Sequence, residues 1–322
     1  RDMRFLKSPA VFLFLPLVFI LLLVVLMQLE KAKERGNFYS EKLAKLEKLY
    51  SQQKEVIGQV KAGQGQLSQG AAHTEKRPHD KFNGSGDSSY SFMAVGHAYT
   101  YPDYSKKIQD NGLNQDFLRF MKSYPMADTR FVVFTGDFTS DGFPSQWDKT
   151  EEQIKDFPVD FHFVSGNHDE GVDGSEKDTF LERTGRDEFY DSFFVGEDLF
   201  VILRGAEQGS KQLDFLKKEI GKEHRYLFVF LHYIWWAREF GVSANSDVNG
   251  DGWWEEVFSL LKASGKQVFV FGGDAQRNFD IVKVENVRLI SNGLAPGKST
   301  RNTVAVVKVG KYGVDISPTP IS

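Results

Sequence analysis

Five apolar runs after residue 89 each stop at a polar residue, and this recurrence restricts the fold more than any other feature of the sequence. Each run has the length of one strand, and a glycine or a polar side chain closes it. The polar residues at these five ends are His97, Asp137, Asn167, His232 and Asp274. Because open α/β sheets bind ligands at the carboxyl ends of their strands, the five residues are candidates for one site.

Helical patterns separate the runs. They span 113–124, 147–157, 211–220 and 253–262, so strand, polar loop and helix repeat three times at the start of the head. That order is typical of a parallel βαβ sheet. Residues 189–195 and 199–203 flank a Gly-Glu-Asp turn and predict a hairpin. The short runs 279–284, 287–291, 303–309 and 312–317 predict antiparallel strands of a second sheet.

The amino-terminal part of the chain predicts a membrane anchor. Residues 10–29 carry no charge and would span roughly the 30 Å hydrocarbon core of a bilayer as a helix. Charged residues follow, where a cleaved signal peptide has small ones, which predicts an uncleaved signal anchor after a short tail of residues 1–9. Basic residues flank both sides, and the short tail favours a cytoplasmic amino end with the head extracytoplasmic.

A stalk and a linker are predicted between this anchor and the head. Residues 30–57 show amphipathic helical spacing, which fits either a lone stalk helix or a short coiled coil that would make a homo-oligomer. Residues 58–89 are rich in Gly, Gln, Ser and charge, and predict a flexible linker. The folded head is predicted at 90–317, with a tail at 318–322.

Composition excludes several classes of function. The net charge of -4 and the pI near 6.0 give no reason to expect binding of nucleic acid, whose binders usually carry a basic face. The chain has no cysteine, which excludes disulfides, thiolate metal sites and cysteine nucleophiles.

Three motifs resemble the calcineurin-like metallophosphoesterase family. They are G-D-x-x-x-D at Gly136 to Asp141, G-N-H-D at Gly166 to Asp169, and the strand that ends in His232. The resemblance implies an α/β fold, a β-sandwich flanked by helices, that hydrolyses a phosphate ester. It also implies that Asp137 bridges two metal ions and that Asn167 and His232 bind the second. His168, held by Asp169, would contact the phosphate or protonate the leaving group.

Two motifs depart from the family pattern. Where the family has D-x-H the chain reads His97-Ala98-Tyr99, and where it has G-H-x-H the chain reads Gly273-Asp274-Ala275-Gln276. Asp274 then replaces a histidine at the second metal. The first metal keeps only Asp137, His97 and the weaker candidates Tyr99 and Gln276, with Asp141 a further weak candidate.

The altered motifs predict one occupied metal site, the second, out of the family's two. Its oxygen-rich ligands would suit manganese, iron or magnesium better than zinc. His97 could then act as a catalytic base instead of a ligand. The competing hypothesis is a catalytically degenerate interaction module in a membrane assembly. The substrate class beyond a phosphate mono- or diester stays open.

The insertion after His232 contains a calcium-like half-loop. Asp247, Asn249 and Asp251 match D-x-N-x-D-G, so calcium is a candidate ligand, while an Asx-rich turn that caps the following helix is the alternative. Two tryptophan pairs flank this loop and would either line a substrate groove or pack in the core.

Overall fold

A computed structural model describes residues 89–101, 110–171, 174–204, 208–246, 248, 252–275, 278–295 and 302–321. The predicted anchor and stalk and nearly all of the predicted linker lie outside these residues, as do Gln276, Asp247, Asn249 and Asp251. Within the described ranges, no helix is long and apolar enough to cross a membrane.

Eleven strands of the described chain form two sheets. The first sheet has the order β11-β10-β1-β2-β3 and the second β4-β5-β6-β7-β9-β8. The strands are β1 (Tyr90–Val95), β2 (Thr129–Thr135), β3 (Asp160–Val164), β4 (Asp191–Val195), β5 (Asp198–Ile202), β6 (Tyr226–Leu231), β7 (Gln267–Gly272), β8 (Phe279–Val284), β9 (Val287–Asn292), β10 (Thr303–Gly310) and β11 (Gly313–Pro320).

Strands β1, β2 and β3 run parallel, and so do β5, β6, β7 and β9. The described helices are α1 (Gln115–Ser123), α2 (Pro144–Ile154), α3 (Lys177–Thr184), α4 (Ser210–Ile220), α5 (Ala237–Phe240) and α6 (Trp253–Ala263).

The central strands separate their side chains by the period of two that a pleated strand imposes. In β1, Phe92 and Ala94 enter one apolar cluster while Met93 and Val95 enter another. In β6 the phenylalanines join the cluster of Phe92, and the alternating aliphatic residues pack with helices α4 and α6. Both faces of these strands are therefore buried, which explains their continuous apolar sequence.

Phenylalanine fills the space between the two sheets. The chain has 29 phenylalanines, and Phe92 of the first sheet contacts several from the second at ring-centroid distances of 5.2–6.0 Å. Most of these pairs meet edge to face, the arrangement that the ring quadrupole favours. This core fixes the two sheets against each other.

A buried ionic network lies at the opposite end of β1 from His97. The Tyr90 hydroxyl donates to Asp198 at 2.7 Å, and the Arg225 guanidinium donates two hydrogen bonds to the same carboxylate at 2.6 and 2.8 Å. Tyr90 belongs to the first sheet and Asp198 to the second. The network therefore holds the two sheets together at that end.

The predicted strands and hairpin are confirmed, but the tail is distributed differently from the prediction. Strands β8 and β9 pair antiparallel in the second sheet, whereas β10 and β11 pair in the first, where β10 adds to β1. Strand β11 continues to Pro320, past the predicted head boundary at 317. Helices α3 and α5 were not predicted, because mostly polar residues form α3 and α5 has a single turn.

The tryptophans of the insertion pack in the core. Trp235 and Trp253 stack edge to face at 5.7 Å, and Trp236 lies 5.3 Å from Trp254. All four rings belong to the apolar cluster that the second sheet forms with helices α4 and α6. The structure therefore supports core packing over a substrate groove.

Candidate metal centre

Tight backbone contacts bring the ends of three strands together. A Cβ on Gly96 would lie 2.1 Å from the carbonyl oxygen of Gly273, and a Cβ on Gly273 would lie 1.9 Å from that of Thr135. Only glycine permits these approaches. The strand ends of both sheets therefore meet backbone to backbone, just before His97, Asp137 and Asp274.

His97 and Asp137 both adopt left-handed backbone conformations, with φ of +49° and +56°. Such angles are uncommon outside glycine, and they cluster at functional sites where the surroundings enforce them. The amide of His97 donates to the carbonyl oxygen of Gly136 at 3.1 Å, which ties the two turns together. Each side chain is at most 1% exposed and their polar atoms lie 3.4 Å apart, so both occupy the same buried space.

Two imidazoles converge on one carboxylate oxygen. The Nε2 atoms of His97 and His232 each lie 3.4 Å from Asp137 Oδ2. Ligand atoms of these three residues all lie within 4.8 Å of one another. His97 follows β1, Asp137 follows β2 and His232 follows β6, so both sheets contribute to the cluster.

Hydrogen bonding fixes the orientation of His232. Its Nδ1 lies 3.1 Å from the carbonyl oxygen of Thr135, an acceptor, so Nδ1 carries the hydrogen. Nε2 then turns its lone pair, or a second proton, towards Asp137 Oδ2. Both Nε2 and Oδ2 are buried without a hydrogen-bond partner.

The electrostatics of the cluster favour a cation. Burial alone would raise the pKa of Asp137, but the facing rings of His232 and His97 hold it well below its usual range. Burial opposes protonation of His232, yet the Asp137 carboxylate outweighs burial and raises the pKa of His232 to about 10. The Asp137 carboxylate therefore favours a positive charge beside it in the buried cluster.

Asp274 completes the cluster from the end of β7. Its Oδ1 lies 2.8 Å from His97 Nε2, and its Oδ2 accepts from the amide of Ser246 at 2.9 Å. Burial acts to raise the pKa of Asp274, but the hydrogen bond from His97 and the nearby His232 lower it overall. His97 and Asp274, which occupy altered positions of the first and last motifs, are thus hydrogen-bonded to each other.

Asp169 organises the loop after β2. Its carboxylate accepts five hydrogen bonds, from the amides of Asp137, Phe138, Thr139 and Gly166 and from the Thr139 hydroxyl. Burial and the nearby Asp137 carboxylate raise the pKa of Asp169, and these donors oppose the rise. The predicted role of Asp169 as the residue that holds the His168 ring is wrong, because its oxygens face the loop.

The backbone holds the His168 ring instead. His168 Nδ1 donates to the carbonyl oxygen of Ser140 at 2.7 Å, which leaves Nε2 pointing towards the cluster, 4.0 Å from Asp137 Oδ2. The His168 side chain is 31% exposed, whereas those of His97 and His232 are buried. His168 therefore lies at the open side of the centre, where a substrate would arrive.

The family comparison agrees with this geometry. The family described as calcineurin-like phosphoesterase matches residues 97–293, which is more than half of the chain and spans His97 to Asp274. The chain belongs to this family. Its members bind divalent metal ions, and most are hydrolases.

Several solved structures are distantly similar to this member of the calcineurin-like phosphoesterases. A dimetal phosphatase from Danio rerio is 14% identical over 72% of this chain and 99% of its own, with a TM-score of 0.47. A putative 5'-nucleotidase from Staphylococcus aureus is 15% identical over 73% of this chain and 54% of its own, with a TM-score of 0.44. Vps29 from Chaetomium thermophilum is 12% identical over 72% and 98%, with a TM-score of 0.33. No curated protein matches the chain.

The residues present fit a divalent metal ion. His97, Asp137 and His232 offer two imidazoles and a carboxylate, the donor types that first-row metals take in proteins. Asp137 Oδ2 and His232 Nε2 are buried and unpaired, and a cation between them would satisfy both. Further predicted residues lie at this edge, with the Tyr99 ring 5.4 Å from the His168 ring and Asn167 half-buried after β3.

Asp141 belongs to a loop network and not to the cluster. Its Oδ2 accepts from the Ser140 hydroxyl at 2.6 Å and from the Gln146 side-chain amide at 3.1 Å. Gln146 is fully buried and also donates to Asn111 and to Ser140. Sequence reasoning missed Gln146, although a glutamine at the start of a predicted helix, beside a polar loop, was a usable signal.

Two further groups near the centre were not predicted. The Glu170 carboxylate accepts two hydrogen bonds from the Arg204 guanidinium at 2.6 and 3.0 Å. Tyr233 follows His232 directly, and burial, together with Asp137 and Asp274, raises its pKa to about 12. Glu170 extends the G-N-H-D motif by one residue, which was the available signal.

Proposed function

We propose that this chain is a metal-dependent phosphoesterase that hydrolyses a phosphate mono- or diester. The main support is that His97 Nε2 and His232 Nε2 each lie 3.4 Å from Asp137 Oδ2 in a buried cluster. Within it, Asp137 Oδ2 and His232 Nε2 have no hydrogen-bond partner. Manganese, iron or magnesium would suit the carboxylates of the cluster, and its imidazoles favour iron among these.

The residues have separable roles in this proposal. Asp137 and His232 bind the metal, which when bound acts as a Lewis acid on water and the phosphate. His168 contacts the phosphate or donates a proton from Nε2 to the leaving oxygen, since Ser140 occupies its Nδ1. Asp169 keeps the loop that carries Asp137 in its left-handed turn.

The test is turnover of aryl phosphate mono- and diesters by the full chain loaded with manganese or iron. Asp137→Asn should lower turnover at least about 10²-fold and reduce the metal content, because a central ligand is lost. Asp214→Asn is the matched control, since the Asp214 side chain is 75% exposed on helix α4. Equal turnover and metal content in the two variants would refute the site.

The chain is further proposed to be held in a membrane by residues 10–29, with its head outside the cytoplasm and its stalk able to self-associate. The support is the uncharged run itself and the spacing of residues 30–57. Membrane fractionation, followed by protease digestion of intact cells or spheroplasts, tests location and orientation. A head that is protected from protease in intact spheroplasts would refute the orientation. A chain that is recovered without membranes would refute the anchor.

A second candidate function is a non-catalytic interaction module in a membrane assembly. The altered motifs favour it, because His97 to Tyr99 and Gln276 replace family ligands of the first metal and Asp274 replaces a family ligand of the second. Metal-bound chain with no turnover on any phosphate ester class would support this candidate. Chain without metal, and with a melting temperature unchanged by chelators, would support it too.

A further inference from the structure

We propose that Asn111 is a positioning residue for His168, because its side chain links the two groups that hold the His168 ring. The inference rests on the proposed hydrolysis and deepens it, since His168 is the residue that meets the phosphate or the leaving oxygen. The sequence prediction gave this holding role to Asp169, but the Asp169 oxygens bind the amides of the loop after β2.

Two neighbours hold the His168 ring. Its Nδ1 donates to the carbonyl oxygen of Ser140 at 2.7 Å, and the ring of buried Tyr99 lies 5.4 Å away at an angle of 33°. The hydrogen bond fixes which nitrogen turns to the centre, and the aromatic contact limits how far the ring can swing. The position of Nε2 therefore depends on where Ser140 and Tyr99 lie relative to each other.

The Ser140 side chain is held by three hydrogen bonds. A hydroxyl can donate one hydrogen bond and accept two. The Ser140 hydroxyl donates to Asp141 Oδ2 at 2.6 Å, which is shorter than its 3.2 Å contact with Asn111 Oδ1. It accepts from Asn111 Nδ2 at 3.0 Å and from Gln146 Nε2 at 2.9 Å. The hydroxyl is then saturated, so Ser140 cannot rotate without the loss of at least one of these bonds.

Asn111 extends this network to the loop that carries Tyr99. Its Nδ2 also donates to the carbonyl oxygen of Thr100 at 2.7 Å, and its Oδ1 accepts from Gln146 at 2.8 Å. Because Nδ2 carries two hydrogens, it can donate to Thr100 and to Ser140 at the same time. Thr100 directly follows Tyr99. One side-chain amide therefore fixes the distance between the two neighbours of the His168 ring.

The backbone beside Asn111 is itself held on both sides. The Leu113 amide donates to Gln153 Oε1 at 2.8 Å, and Gln153 lies on helix α2. The amide and the hydroxyl of Thr100 both donate to the carbonyl oxygen of Gly112, at 2.9 and 3.0 Å. Asn111 thus lies where the loop after β1, the loop after β2 and helix α2 meet, and it can transmit the position of each to the others.

The proton on His168 Nδ1 gives a test that needs no turnover. In the full chain with 15N-labelled histidine, Asn111→Ala should speed exchange of this proton with water at least about tenfold, because the Ser140 carbonyl opens more often. The Nδ1 proton of His232 is the internal control, since its acceptor is the Thr135 carbonyl oxygen, outside the network of Asn111. A His168 proton as protected in Asn111→Ala as in the parent would overturn the proposal.

Turnover in a double-mutant cycle separates a positioning role from a purely structural one. Asn111→Ala should lower kcat about tenfold in the parent, and less than about twofold once His168 is already replaced by Gln. Metal content should stay constant. Asn286→Ala is the matched control, because half-buried Asn286 also donates twice from its side-chain amide. An equal fall on both backgrounds, or loss of the metal, would contradict action through His168.

A second variant of Asn111 removes its donors without leaving a space. Asn111→Asp keeps the size of the side chain and the acceptor for Gln146, but it cannot donate to Thr100 or Ser140. Its kcat should fall at least as far as that of Asn111→Ala, and a parental kcat would overturn the proposal. A parent chain without turnover would refute the proposed hydrolysis, whereas the His168 proton would still decide the role of Asn111.

Discussion

Gly273→Ala tests the close approach of the two sheets alone. The backbone of this glycine has no left-handed φ, so alanine would add no strain of its own there. The new Cβ would lie 1.9 Å from the Thr135 carbonyl oxygen and 2.6 Å from Thr135 Oγ1. Real Cβ atoms do not come closer than 3.0 Å, so the ends of β2 and β7 must separate by about 1.1 Å. The obstructing atom is backbone, and rotation of a side chain cannot relieve it.

Overpacking of this kind lowers the unfolding free energy by about 3 kcal/mol, the upper part of the usual interval, since Thr135 ends β2, Gly273 directly follows β7, and neither strand is at an edge. For a folded head of this size, that corresponds to a fall in melting temperature of roughly 6–12 °C. The same displacement moves Asp274 relative to Asp137. The proposed hydrolysis should therefore fall about 10²-fold, the usual consequence of misplacing a group of the site by roughly 1 Å.

Thermal unfolding and metal titration of Gly273→Ala, beside Gly313→Ala, make the measurement. Gly313 begins β11, and a Cβ there meets no atom within 4 Å, so its variant should stay within about 0.5 kcal/mol of the parent. If the two alanine variants melt together and bind metal equally well, the close approach of the strand ends does not hold the centre.

Three further outcomes follow from the buried polar groups. Asp169→Asn should lower the unfolding free energy by about 3 kcal/mol, because an amide cannot accept all five loop hydrogen bonds. Urea titration measures this change, and an unchanged unfolding midpoint would contradict the role of this carboxylate. Gln146→Ala should lower the unfolding free energy by about 2 kcal/mol and reduce turnover, because the Ser140 loop that orients His168 loses a hydrogen bond. Metal content should stay constant, and loss of the metal would contradict a role confined to His168. Burial and Asp198 raise the pKa of Tyr90 far above 10, so unfolded chains lose this proton first as pH rises. Above pH 10 the unfolding free energy of the parent should therefore fall by up to about 1.4 kcal/mol per pH unit more than that of Tyr90→Phe, and parallel curves would contradict the buried neutral phenol.

Local patterns in the sequence predicted the strands and the polar residues at their ends. Phe131 to Phe134 and Tyr226 to Leu231 are continuous apolar runs because both of their faces are covered, and such runs need no tertiary information to be recognised. Helix α3 escaped prediction because Phe180 is its one fully buried side chain, which leaves no apolar periodicity.

The contacts within the centre could not be predicted from local patterns. Asp169 turns to the loop because Asp137 adopts a left-handed φ that brings successive amides to face one carboxylate, and nothing in G-N-H-D indicates that curvature. The bond between His97 and Asp274 joins residues 177 positions apart in the chain and on different sheets. It depends on how the sheets pack, which the motifs do not encode.

The amide of Leu294 donates to the carbonyl oxygen of Gly96, and the Asn292 side chain donates to that of Ala94. The last residue of β9 and the segment after it therefore already join the second sheet to β1 beside the centre. An ion held by side chains from both sheets would act there as a cross-link. An ion at a hundred times its dissociation constant adds about 2.7 kcal/mol to the unfolding free energy. Amide exchange at the ends of β1, β2, β6 and β7 should then slow together on loading, so that occupancy of the centre sets how rigidly the two sheets are joined.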